Sequence, residues 1–167
     1  MKPVLYVCNV DENSVLNGND YVNKVLEATK NEGSEVLIIA TAIEAEIADL
    51  ESIDEQLLFL EEMGLDQPGV NKLIRSTYKL LNLQTYFTAG EKEVRAWTIV
   101  NGTKAPQAAA VIHTDFEKGF IRAETISYED FVANDGWVNS KANGKMRLEG
   151  KDYIVKDGDV LNFRFNT

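Results

Sequence analysis

"KPVLYVCNVDEN", residues 2–13, carries an unbroken apolar run from Val4 to Cys8 that stops at Asn9, with Asp11 and Glu12 close behind. The run is too short for a surface helix and lacks polar alternation, so it reads as a strand buried on both faces. Outward from it, residues 19–31 switch to helical spacing, with Val22, Val25, Leu26 and Thr29 on one stripe and Gly33 as the stop. "EVLIIAT", residues 35–41, is a second buried strand. Strand, helix and strand in this span make a βαβ unit with parallel strands and a right-handed crossover. Parallel strands end on one edge, so Asn9 and Thr41 are expected as neighbours where open α/β sheets bind ligands.

Residues 43–66 hold nine acidic and no basic side chains, an acidic solvated face. Within them Ile43, Ile47 and Leu50 form one helical stripe. Ser52 and Glu55 have capping-box spacing and start a second helix carrying Ile53, Leu57, Leu60 and Met63, closed by Gly64. Pro68 opens a third, with Val70, Leu73, Ile74, Thr77, Tyr78 and Leu81 as its apolar stripe.

Beyond Leu83 the periodicity shortens. "LQTYFTAGEKEVRAWTI" gives two β-rich runs around Ala89-Gly90-Glu91, a hairpin. Thr103 is placed to cap a helix through "APQAAAVI", residues 119–126 form a strand, and "SYEDFVAND" forms a short capped helix. "KMRLEGKDYIV", an Asp157-Gly158 turn and "DVLNFRF" complete a mixed sheet curled over one helix. The predicted fold class is therefore α/β followed by α+β, with a boundary near Asn82.

Charge divides at the same place. Residues 1–82 hold 6 Lys/Arg against 15 Asp/Glu, and residues 83–167 hold 11 against 12. The acidic first part repels nucleic acid, so any RNA contact is expected in the second. No apolar run is long enough to span a bilayer, and a single Cys8 fits a reducing, cytoplasmic setting. The chain contains no G-x-x-x-x-G-K-[ST], G-x-S-x-G or H-E-x-x-H, and one His with one Cys excludes the usual zinc set. His113 has two readings, a half-buried histidine at a helix end or a group that stacks on or bonds to RNA. Lys104, Lys118 and Arg122 are further candidate RNA or ribosome contacts of the backbone type, without DNA sequence readout. Trp97 and Trp137 read as packing residues. Asn9-Val10-Asp11-Glu12 is either an Asx-type turn or a corner that reads a purine edge.

"NVDE" after a buried strand resembles the base-recognition motif Asn-Lys-x-Asp of P-loop GTPases, and Thr41-Ala42 resembles the Ser-Ala-type element of the same site. Glu in place of Asp resembles the YchF / Obg-like ATPases, in which guanine selection is weakened in favour of ATP. "QTYFTAGEKEVRAWTI", "GTKAPQAAAVIHTDFEKGFIRAE" and "YIVKDGDVLNFRFN" are similar to the TGS domain of that family, a ubiquitin-like β-grasp module. The resemblance covers essentially the whole chain. It implies that residues 1–82 are the end of an Obg-type NTPase domain and residues 83–167 the TGS domain. By it Asn9, Val10, Glu12, Thr41 and Ala42 meet the base of Mg-ATP in a full-length ATP (more weakly GTP) hydrolase. The P-loop and switch regions are expected upstream, so this chain is expected to be inactive alone and to bind no cofactor tightly. The TGS half implies ribosome or RNA association, and no membrane partner. The competing expectation is a stand-alone ubiquitin-like protein-interaction module that binds neither nucleotide nor RNA.

Overall fold

The computed structural model describes residues 2–166. The chain divides into two compact units, Met1–Leu81 and Asn82–Thr167.

In the first unit β1 (Leu5–Asn9) and β2 (Glu35–Ile39) pair in parallel, in register from Leu5 opposite Glu35 to Asn9 opposite Ile39. Between them runs α1 (Asp20–Thr29), whose N-cap Asn19 accepts from the Tyr21 and Val22 amides at 3.0 and 3.2 Å. The second strand is shorter than its apolar run. Ala40 already serves as N-cap, and Thr41 opens α2 (Thr41–Asp49). α3 (Ile53–Glu62) begins with the Ser52–Glu55 capping box, both reciprocal bonds being present, and Gly64 follows it at φ +69°. α4 (Gly69–Leu80) follows Pro68. Ala40, Ile43, Ile47 and Leu60 form the core, flanked by Val10, Phe59 and Met63.

Two expectations fail here, for one reason. The strands are not buried on both faces, since Val4 and Val7 are each 41% exposed. The helical stripes also turn outward in part. Ile53 and Leu57 on α3 are exposed, as are Val70, Ile74 and Leu81 on and after α4. α4 instead buries Ser76, whose hydroxyl donates to Glu35 at 2.8 Å. Two strands offer too little sheet to cover the apolar area that these helices and the strands themselves present.

The second unit is a five-stranded mixed sheet in the order β4-β3-β7-β5-β6, built from β3 (Leu83–Ala89), β4 (Val94–Val100), β5 (Phe120–Ser127), β6 (Arg147–Glu149) and β7 (Asp159–Phe165). β3 and β7 pair in parallel, and the other pairs are antiparallel. α5 (Ala105–Ile112) lays Ala105, Ala108 and Ala109 on a core of Tyr86, Ile99, Phe120, Leu161 and Phe163. The Tyr86 hydroxyl donates to the Ala108 carbonyl at 2.8 Å. Thr103 does not cap this helix. Its hydroxyl donates to Val100 at 2.6 Å and closes the turn leaving the hairpin, while Lys104 takes the N-cap position. α6 (Thr114–Lys118) follows at once, and α7 (Tyr128–Ala133) is capped by Ser127. α8 (Trp137–Ala142) was not expected, because "WVNSKA" has no periodic apolar face. It is held by the Trp137 indole, which donates to Ala89 at 2.7 Å. Of "KMRLEGKDYIV" only Arg147–Glu149 is strand.

Candidate functional site

The carboxyl edge of the β1–β2 pair gathers the motif residues of the first unit. The Val10 amide donates to Ile39 at 2.9 Å, carrying the pairing one step past Asn9. Asn9 Oδ1 then accepts twice from Thr41, from its amide and from its hydroxyl, each at 3.1 Å. This fixes the carboxamide with its Nδ2 donor directed away from Thr41. It also means that Asn9 does not make the Asx-type turn that its spacing allowed. Asp11 stands at the N-cap of a 3-10 turn, Glu12–Ser14, and accepts from the Ser14 hydroxyl at 2.9 Å without a side-chain bond to a backbone amide. Glu12 is exposed, and its carboxylate has no partner among the described residues. Thr41 and Ala42, also exposed, supply the first turn of α2. The edge thus presents an oriented amide donor, a free carboxylate acceptor and a helix start.

The same helix holds a contact that sequence reasoning missed. Glu44, one turn on, accepts from the Gly69 and Val70 amides at 2.6 and 3.0 Å and so caps α4. A Cβ at Gly69 would lie 2.9 Å from Glu44 Oε1, which is why glycine stands there.

In the second unit the candidate RNA contacts separate into two places. His113 ends α5 and begins α6, where its Nδ1 accepts from the Asp115 amide at 3.2 Å. Its side chain is 60% exposed, so the half-buried reading is corrected. Lys118 lies at the other end of α6, 3.9 Å from Asp115, and Arg122 is exposed on β5 opposite Arg164. Lys104 stands apart at the start of α5, about 12 Å away along the helix, and its Nζ is 2.7 Å from Asp152.

Two carboxylates in this sheet are occupied by structure. Burial pushes the Glu124 carboxyl up, but bonds from Arg164 and Asn162 and the charge of Arg122 outweigh it and hold the group below its usual value. Asp159, nearly fully buried, accepts from the Tyr153 hydroxyl at 2.7 Å, the Lys156 amide at 2.9 Å and Arg147 at 3.4 Å. Burial first and Asp159 second push the Tyr153 phenol up to about 12. Sequence spacing gave no signal for this cluster, which joins residues 147 to 159 through a non-repeating loop.

Known proteins match both units. A family model named YchF-GTPase_C, described as a protein of unknown function, matches residues 83–166. The ribosome-binding ATPase YchF of Pasteurella multocida is 58% identical over 99% of this chain and 45% of its own length. The Bacillus subtilis protein of the same name is 54% identical over 99% of this chain and 45% of its own. Among solved structures, that of the Schizosaccharomyces pombe YchF GTPase covers 97% of this chain and 43% of its own, at TM-score 0.84 and 34% identity. The chain spans just under half the length of the curated relatives that it matches. With the identity running through both units and the fold shared from end to end, this chain belongs to the YchF family.

Proposed function

We propose that this chain is the C-terminal part of a ribosome-associated ATPase, in which the first unit supplies the base-reading corner of the nucleotide site and the second a TGS docking module. The observation that carries the first half is the pair of hydrogen bonds that the Thr41 amide and hydroxyl donate to Asn9 Oδ1, which leaves Nδ2 free to donate to a ring nitrogen of a purine. Glu12 is the partner for an N–H donor of the base. Its extra methylene, compared with Asp, sets the carboxylate further out and disfavours the two-donor edge of guanine. Val10 lends its backbone, and Thr41 and Ala42 wall the corner. The relatives, named ribosome-binding ATPases, support ATP as the nucleotide and the ribosome as a partner. The mixed sheet with a parallel central pair over one main helix supports the β-grasp reading of residues 83–167.

These residues fit a base and not a triphosphate. Among the described residues no group of three or more His, Cys, Asp or Glu is placed for a metal ion, and the sequence holds no phosphate-binding loop. Phosphates and Mg²⁺ are therefore assigned to the part of the relatives' length beyond these 167 residues. The 167-residue chain is expected to hydrolyse no ATP, because the groups that stabilise phosphoryl transfer are not on it. In a chain of the relatives' full length, Glu12→Asp is expected to move the ATP-to-GTP preference toward GTP by about tenfold, the equivalent of about 1.4 kcal/mol. Competition binding with both nucleotides measures it, and an unchanged ratio removes Glu12 from the site.

A further inference from the structure

Two helices of the first unit start without a capping side chain of their own. Ala40 precedes α2 and Pro68 precedes α4, and neither has a side chain that can accept a hydrogen bond. Each start is served from elsewhere in the chain. Asn9 Oδ1 takes the Thr41 amide, the first of α2. The two oxygens of Glu44 take the Gly69 and Val70 amides, the first two of α4. These two caps are linked through α2, because Glu44 stands three residues after Thr41 and therefore on the same side of the helix.

Gly69 closes the link. A Cβ there would lie 2.9 Å from Glu44 Oε1 and 3.0 Å from Ile39 Cγ2. Ile39 is the last residue of β2, stands opposite Asn9 in the strand register, and accepts from the Val10 amide through its carbonyl. The start of α4 is thus seated against the corner twice, on Glu44 of α2 and on Ile39 of β2. Ala40, Ile43 and Ile47 anchor α2 in the core, but apolar contact is non-directional. Two bonds from neighbouring amides to one carboxylate are directional, and they set how the first turn of α2 is rotated about its axis. That rotation decides where the Thr41 amide and hydroxyl point, and those two donors hold Asn9 Oδ1.

We propose that Glu44, seated on Gly69, is a positioning residue of the base-reading corner, holding the Asn9 carboxamide through Thr41 so that Nδ2 faces a purine. The inference rests on the base-reading role proposed above. Its first readout needs no nucleotide. In the whole 167-residue chain, nitrogen relaxation of the Asn9 carboxamide is expected to give an order parameter above about 0.8, falling below about 0.6 in E44A. E44Q, which keeps one accepting oxygen, is expected to fall between the two. G69A, whose added methyl group must displace Glu44 or Ile39, is expected to match E44A. S52A breaks the capping box of α3 and so weakens the same unit away from this link. It is expected to leave Asn9 as it is in the unmodified chain. The second readout is competition between ATP and GTP in a chain of the relatives' full length. There E44A is expected to shrink the preference for ATP about fivefold, and S52A to leave it unchanged. An Asn9 order parameter that E44A leaves unchanged, or that S52A lowers equally, overturns the proposal. So does a nucleotide preference that Glu12→Asp moves and E44A does not, an outcome that leaves base reading in place. A preference that neither variant moves removes base reading, and the positioning role falls with it.

Discussion

The two units solve burial differently. The second closes a core of ten buried residues between five strands and α5. Among the described residues the first has a cluster of four, with Val22 buried apart from it, beside a two-stranded parallel sheet, and leaves Val4, Val7, Ile53, Leu57, Leu58, Val70 and Ile74 exposed. Similar lengths of chain therefore yield a closed core in one case and an open one in the other. The carboxyl edge of β1 and β2, the proposed base-reading corner, therefore depends on few contacts. Asn9, Thr41 and Glu44 place it through hydrogen bonds rather than through a deep core.

The comparison breaks most visibly if the units are separated. Residues 82–167 alone are expected to unfold cooperatively in urea, whereas residues 1–81 alone are expected to show a broad transition or none. A sharp transition for the shorter piece would end the contrast. Substitutions sharpen it further. Phe163→Ala in the second core should cost about 3–5 kcal/mol, while Leu57→Ala on the exposed face of α3 should stay within about 0.5 kcal/mol. Asp159→Ala strands the Tyr153 hydroxyl and should cost about 2–3 kcal/mol. Glu44→Gln removes the charge of the α4 cap and turns one of its two accepting oxygens into an NH₂ that cannot accept, for about 1–2 kcal/mol. Urea midpoints of the whole chain measure all of these.

A smaller effect depends on pH. Glu124 is held below its unfolded value, so its contribution is present above about pH 4.3 and is lost as pH falls through the folded value. Glu124→Gln should therefore flatten the acid side of the stability curve below that pH and leave its slope near neutrality unchanged. An identical acid limb in both proteins would show that the Arg164 and Asn162 bonds carry no linkage.

What could be read in advance follows from the range of the signals. The Ser52–Glu55 box, the Asp157-Gly158 turn and the β3–β4 hairpin are local, and each formed where its spacing put it. The neighbourhood of Asn9 and Thr41, 32 residues apart, was also legible, because parallel pairing forces it. That Oδ1 is taken up by Thr41 was not, since either atom of the carboxamide could have faced that way. Strand burial was misjudged because apolar composition says how much surface seeks cover, not whether a neighbouring strand supplies it. The Glu44 cap, the Asp159 cluster and the Phe116–Phe165 stack join residues whose pairing has no sequence period. α8 and the true start of α5 were missed through weak or misleading caps.

Amide hydrogen exchange on the whole 167-residue chain tests the division of the molecule most directly. Amides of β3, β5 and β7 are expected to exchange only through global unfolding, and those of β1 and β2 at least about a hundredfold faster through local opening. Equal protection of Val7 and Phe163 would contradict this, because the carboxyl edge of β1 and β2 would then stand on a core as complete as that of the second unit.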